Sequence, residues 1–147
     1  MPHFTIPFSQ GAPLIDLIVS ASAPRLAALD EAGVPWPAPQ QIRGLIDTGA
    51  SHSCVDPTVL KALRLQPTGN VPMHTPSTGA TPMNADTYDA GTIIPNGVQP
   101  ALTFTSMQVS ACELLLTQGF HALIGRDILA SCILVYNGGN STMTLSY

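Results

Sequence analysis

The chain has 147 residues, a length that suits one domain with a substantial buried core. Charged residues make up only 10 %, and five Lys and Arg residues are scattered along a chain of net charge −4, so nucleic-acid binding is not expected. We expect no signal peptide and no membrane span, because no apolar run of about 18 residues occurs. Three cysteines outside any Cys-x-x-Cys motif favour reduced thiols and a cytoplasmic location.

The N-terminal part of the chain predicts two strands. Apolar residues alternate with polar or neutral ones over residues 4–8, which is typical of a strand with one buried face. Pro7 favours an edge position for this strand, because proline cannot donate a hydrogen bond to a neighbour. Residues 14–19 predict a second strand, in which Asp16 is expected to face solvent.

Residues 22–40 differ in composition from their surroundings and are interpreted as an insertion. Ser22 is a suitable cap for a short helix over residues 25–29, Gly33 is suited to end it, and three prolines surround Trp36. The sequence leaves three roles open for this insertion. These roles are a surface decoration, a cover for a sheet edge, and a wall of a substrate site to which Trp36 would belong.

The central part predicts a strand, a helix and a hairpin. Side chains alternate over residues 41–47, and Asp56 followed by proline predicts the capped start of a helix over 58–63. Residues 71–94 predict a hairpin. Its turn spans residues 76–81, where small residues and a glycine suit a mobile loop.

The C-terminal third predicts mainly strands. Residues 98–109, 112–116 and 122–124 are apolar segments of strand length. The last of these leads into a Gly-Arg-Asp turn and a short helix that ends at Leu129. Residues 132–147 predict a terminal hairpin around an Asn-Gly-Gly-Asn turn.

The stretch Leu45-Ile46-Asp47-Thr48-Gly49-Ala50 ends an apolar strand in a carboxylate. Desolvation disfavours the ionised form of a buried carboxylate, so such a residue usually has a function. Gly49 allows a sharp turn that brings the backbone close to whatever Asp47 faces. These residues are the strongest candidates for a functional site.

Leu-Ile-Asp-Thr-Gly-Ala resembles the catalytic signature of aspartic proteases, and the alanine after Asp-Thr-Gly resembles the retroviral branch. Residues 122–129, Ala-Leu-Ile-Gly-Arg-Asp-Ile-Leu, resemble the second signature of retroviral-type (retropepsin-like) proteases. The resemblance implies an all-β, single-lobe acid protease fold over residues 1–147. This fold is a closed-barrel-like domain with a flap hairpin and one or two short helices, active as a two-fold dimer.

Acid proteolysis by carboxylates requires two of them facing one water, and this chain contains Asp-Thr-Gly once. The resemblance therefore implies a homodimer in which Asp47 faces its own symmetry mate. The expected activity is that of an aspartic endopeptidase, which hydrolyses peptide bonds of an extended protein substrate without metal or cofactor. The alternative is a catalytically weak module of the same fold that serves dimerisation or peptide binding.

The resemblance also assigns roles to residues around Asp47. Thr48, Gly49 and Arg126 are expected to support the active-site loop. Residues expected to bind substrate lie in that loop and at the tip of the flap: Gly49, Ala50, Ser51, Thr78, Gly79 and Ala80. Since Ala50 offers no hydroxyl to an ionised carboxylate, we expect activity at mildly acidic to neutral pH.

The anchoring of Arg126 is open, because retroviral enzymes have an aspartate where this chain has Ser51. Asp127 is one alternative ion-pair partner, and backbone carbonyls are another set of acceptors for Arg126. Neither residue is expected to be catalytic.

Other reactive side chains near the motifs are expected to be structural. Cys54 is interpreted as a small buried residue, and Met73 and Met83 as packing residues beside the flap. His52 is interpreted as an exposed loop residue, the alternative being a residue that lines a subsite or adds positive charge. His3, His74 and His121 show no metal-ligand spacing, so no zinc site is expected.

Overall fold

The structure is a computed structural model that describes residues 1–75 and 78–147. Within them, 48 % of the chain is in strands and 16 % in helices, so the expected all-β class is confirmed. The strands are β1 His3–Pro7, β2 Leu14–Ala21, β3 Gln40–Ile46, β4 Cys54–Val55, β5 Gly69–Met73, β6 Met83–Asn96, β7 Gln99–Ala111, β8 Ala122–Ile124, β9 Ile133–Asn137 and β10 Thr142–Ser146. The helices are α1 Ala23–Glu31, α2 Pro57–Ala62, α3 Leu115–Gln118 and α4 Arg126–Leu129, more than the one or two implied by the resemblance.

Six strands close into a barrel in the order β2-β3-β8-β4-β7-β6, because β6 pairs back with β2. The pairs β3–β8 and β4–β7 are parallel, whereas the other pairs of the ring are antiparallel. β5 pairs with the first half of β6 and lies outside the ring. The parallel pairs bring β3 and β8, with their following loops, to the same end of the barrel.

A second sheet has the order β1-β10-β9 and packs one face against the barrel. Its inner face carries Met143 and Leu145, which are 4 % and 1 % exposed. β1 is an edge strand, as Pro7 predicted. The outer face of this sheet remains uncovered within the chain.

The insertion forms α1 and a proline-rich return that packs beside the end of α2. Ser22 caps α1 by accepting a hydrogen bond from the backbone N–H of Arg25 at 3.4 Å, as predicted. Leu29 of α1 is 8 % exposed. Trp36 is 55 % exposed and donates its indole N–H to Asp30, 2.8 Å away, within the insertion itself.

The predicted strand over residues 112–116 is wrong, because β7 ends at Ala111 and the chain enters α3. Asp56 explains the turn: its carboxylate accepts the backbone N–H groups of Leu114 and Leu115, both at 2.9 Å. The same carboxylate caps α2 by accepting from Thr58, as predicted. Burial alone would raise the pKa of Asp56, yet these hydrogen bonds outweigh it and lower the pKa to about 2.

The predicted hairpin over 71–94 is observed as the antiparallel pair β5–β6. Its predicted turn over 76–81 includes Pro76 and Ser77, which lie outside the described residues. Met83 does not pack as predicted, since it is 60 % exposed at the turn end of the pair, opposite Met73. No helix in the described ranges is long and apolar enough to cross a membrane.

Candidate active site

Asp47 lies directly after β3, at the point where β3 and β8 end side by side. Its backbone N–H donates to the carbonyl of Ile124 at 3.0 Å, which continues the parallel pairing by one step. Its Oδ1 accepts the backbone N–H of Gly49 at 2.8 Å, and its own carbonyl accepts the N–H of Ala50 at 3.2 Å. The half-buried carboxylate is therefore held in a tight turn by three backbone hydrogen bonds.

The close approach of the Asp47 carboxylate, and not a left-handed backbone, favours glycine at position 49. A Cβ atom at this position would lie 3.0 Å from Oδ1 of Asp47, closer than ordinary van der Waals contact. A side chain would also crowd the acceptor of the Gly49 N–H.

Arg126 holds the outer side of the Asp47 loop. Its guanidinium donates to the carbonyls of Thr48 at 2.9 Å and Gly49 at 3.3 Å, and to Oγ of Ser51 at 3.3 Å. Its backbone N–H donates to the carbonyl of Ala50 at 2.9 Å. Of the alternatives left open by the sequence, the structure has backbone carbonyls, with the Ser51 hydroxyl as an additional acceptor.

Asp127 bonds to the far end of the same loop instead of pairing with Arg126. Its carboxylate accepts from both the backbone N–H and the hydroxyl of Ser53, each at 2.7 Å, and from the N–H of Ile128 at 2.9 Å. The Ser53 hydroxyl also accepts the N–H of Gly125 at 3.0 Å. A Cβ atom at Gly125 would lie 2.7 Å from the carbonyl carbon of His52, so only glycine fits.

The loop opens into a cavity of about 660 Å³. One wall is the active-site loop, and the opposite wall is β5 with the start of the flap turn, residues 71–75. Cys54, Cys112 and Leu123 form an apolar floor, beside Ser110. Asp47 is the only carboxylate among the described residues that line this space, so one chain supplies one acid group to it.

The two cavity thiols are protonated at physiological pH. Burial, reinforced by the nearby Cys112, Asp127 and Asp47, raises the pKa of Cys54 to about 12. Burial also raises the pKa of Cys112, with Asp56 and Glu113 adding to the shift. Neither thiol is an activated nucleophile. In the described part of the chain, no group of three or more His, Cys, Asp or Glu residues is arranged to hold a metal ion.

The residues predicted for the site separate into two groups. Asp47, Gly49, Ala50 and Ser51 line the cavity, and the Thr48 carbonyl is held by Arg126. The predicted flap-tip residues Thr78, Gly79 and Ala80 are not among the lining residues. Their contact with substrate stays a prediction.

Sequence reasoning did not place Ser53 or Gly125 in the site, although Gly125 belongs to the second motif. It predicted a flap hairpin, but it did not name His74 or the neighbouring residues of β5 among those that bind substrate. His52 is exposed, as predicted, and lines the cavity as well.

Trp36 and the rest of the insertion are absent from the lining of this cavity. The insertion instead frames a small cleft with Leu63 and Arg64, where the Arg64 guanidinium donates to the Pro35 carbonyl at 2.8 Å. Within one chain, the insertion therefore decorates the end of α2 and forms no wall of the Asp47 site.

No protein-family model matches this chain, and no curated protein matches it either.

Proposed function

We propose that the protein is a retropepsin-like aspartic endopeptidase that hydrolyses peptide bonds as a homodimer. The observation that carries this proposal is the Asp47 carboxylate, fixed in a turn and open to a cavity of about 660 Å³. The closed barrel, the hairpin over the cavity and the loop bonded to Arg126 are the parts that such a single-lobe domain requires.

The proposed reaction needs a second carboxylate, which a two-fold axis beside the exposed Thr48 would supply from another copy of Asp47. Two carboxylates about 3 Å apart cannot both ionise, so they share one proton and titrate as a unit. The ionised member takes a proton from the shared water, and the protonated member donates a hydrogen bond to the scissile carbonyl. The water oxygen bonds to the carbonyl carbon while the protonated member transfers its proton to the carbonyl oxygen, which gives a tetrahedral diol. The member that took the proton of the water then passes it to the leaving nitrogen as the C–N bond breaks, and the two peptide products form.

The outer face of the three-stranded sheet supports the dimer. Ile133 and Val135 of β9 are 56 % and 55 % exposed on that face, and β9 is an edge strand. The other outward residues of the three strands carry no Asp, Glu, Lys or Arg side chain: His3, Thr5, Pro7, Asn137, Thr142, Thr144 and Ser146. An uncharged edge strand is suited to pairing with another chain. β9 follows α4, the element that carries Arg126, after three residues along the chain.

Cleavage of an unstructured protein by the wild type and by Asp47→Asn tests the activity. We expect the substitution to abolish cleavage, since neither copy could then act as base, and a pepstatin-type inhibitor to block the wild type. Asp16→Asn is the matched control, because Asp16 is exposed on β2 and makes only a long ion pair of 3.9 Å with Arg43. Cleavage that survives Asp47→Asn would refute the proposal. If the wild type bound a peptide but did not cleave it, the alternative function, a peptide-binding module, would be supported.

Ile133→Lys tests the dimer by placing a charge on the uncovered face. We expect sedimentation to show monomers and cleavage to fall by at least about 10-fold, because burying an unpaired charge is costly. Val98→Lys is the control, since Val98 is fully exposed at the turn between β6 and β7. An Ile133→Lys variant that remains dimeric and active would exclude this face as the interface.

A further inference from the structure

We propose that Ser53 and Asp127 are positioning residues, which fix the exit of the Asp47 loop against the β8–α4 junction. The inference rests on the proposed function, because positioning has meaning only for a loop that performs chemistry. It assigns a role to two polar side chains that the cleavage mechanism does not use and that lie at the base of the site.

The geometry of this pair is that of a closed hydrogen-bond network. Ser53 is 3 % exposed, and both its backbone N–H and its hydroxyl donate to the Asp127 carboxylate at 2.7 Å. The hydroxyl oxygen is used as well, because it accepts the Gly125 N–H at 3.0 Å. Hydrogen bonds to an ionised carboxylate are about twice as strong as neutral ones, so this network resists displacement.

The network complements the contacts of Arg126. Arg126 holds residues 48–51 of the loop, whereas Ser53 and Asp127 hold the point where the loop enters β4. Gly125 adds a third constraint, because its close contact with the His52 backbone leaves no room for the loop to move inward. A loop held at only one end would let the Asp47 carboxylate shift. A displacement of about 1 Å from the productive geometry lowers rates by about 100-fold.

The variants Ser53→Ala and Ser53→Thr separate positioning from general packing. Ser53→Ala removes the hydroxyl but keeps the backbone N–H bond to Asp127, whereas Ser53→Thr keeps both. Asp127→Asn keeps one carbonyl oxygen and presents an NH₂ donor where the second acceptor was. Ser22→Ala is the matched control, because Ser22 is equally buried, 1 % exposed, and caps α1 far from the cavity.

We expect Ser53→Ala and Asp127→Asn to lower kcat by about 10- to 100-fold with KM within about twofold of wild type. Ser53→Thr should restore kcat to within about threefold. Ser22→Ala should lower the melting temperature without changing kcat. A wild-type kcat in Ser53→Ala, or a loss in Ser22→Ala equal to that in Ser53→Ala, would overturn the proposal.

Amide hydrogen exchange separates this inference from the proposed function. In Ser53→Ala and Asp127→Asn, the segment 47–53 should exchange at least about 10-fold faster than in wild type, while Ser22→Ala should affect only α1. If the wild type cleaves nothing, the proposed function fails. Unchanged exchange over 47–53 would refute the positioning network, whatever the activity.

Discussion

The two walls of the cavity are built in opposite ways. The Asp47 loop is tied to β8 and α4 by backbone bonds, three guanidinium bonds and the Asp127 carboxylate. The flap opposite it depends on the pairing of β5 with β6, and near its tip Thr78 bonds to Thr75 in the same turn. The Asp47 carboxylate therefore lies on the wall that these bonds fix, and under the proposed function a peptide would enter between this fixed wall and the flap.

Gly125→Ala should displace the Asp47 loop and cause the largest loss of activity. The added Cβ would meet the His52 backbone at 2.7 Å, and backbone cannot rotate away as a side chain can. We expect kcat to fall by about 100-fold because the loop must move. The measurement is steady-state cleavage of the unstructured substrate.

Gly44→Ala is its control, since a Cβ there would meet mainly flexible side chains, the nearest being Leu17 at 2.9 Å. It should reduce stability while largely preserving kcat. A Gly125→Ala enzyme as active as wild type would show that the loop does not need its present position.

Asp56→Asn, directly after β4, should lower the free energy of unfolding, and the size of this loss should depend on pH. The lowered pKa of Asp56, about 2 against an ordinary value of 3.8, means that the native state favours the ionised form. This stabilisation, about 2 kcal/mol, is fully present above pH 4 and is lost as the pH falls from about 4 to about 2. Urea unfolding at pH 7 and at pH 2 should therefore show a difference between wild type and variant only at pH 7.

The Asp16→Asn variant provides the comparison for this pH dependence. Because its side chain is 69 % exposed, its removal should change the free energy of unfolding by less than about 1 kcal/mol at either pH. Equal stability of wild type and Asp56→Asn at pH 7 would contradict the role given to the Asp56 hydrogen bonds.

Gly79→Ala should have the smallest effect, because it acts on the flap and not on the Asp47 loop. Gly79 has a φ of +60° with open space around it, so alanine adds backbone strain of about 1 kcal/mol and no clash. We expect KM to rise by less than about threefold with kcat unchanged. Gly97→Ala introduces the same strain at a φ of +54° in the turn between β6 and β7. If Gly97→Ala changed KM as much as Gly79→Ala, the effect of Gly79→Ala could not be attributed to the flap.

The sequence predicted those features whose causes are local. Alternation over residues 41–47, the Ser22 cap and the Asp56-Pro57 start of α2 all depend on neighbours within a few residues, and each was found. The site was predictable only as far as its two motifs. The turn into α3 was missed because its cause, the Asp56 carboxylate, lies 58 residues away from Leu114. Ser53 was missed for the same reason, since its partner Asp127 is 74 residues distant and a single serine carries no periodic signal.

The parallel pairing of β3 with β8 also has a consequence for the protein during its synthesis. Asp47 leaves the ribosome long before Ile124, Gly125, Arg126 and Asp127, which supply the bonds that shape its loop. A nascent chain that ends before residue 122 has the complete Asp-Thr-Gly segment but none of these partners. The order of translation thus delays assembly of the loop until more than four-fifths of the 147 residues have been made.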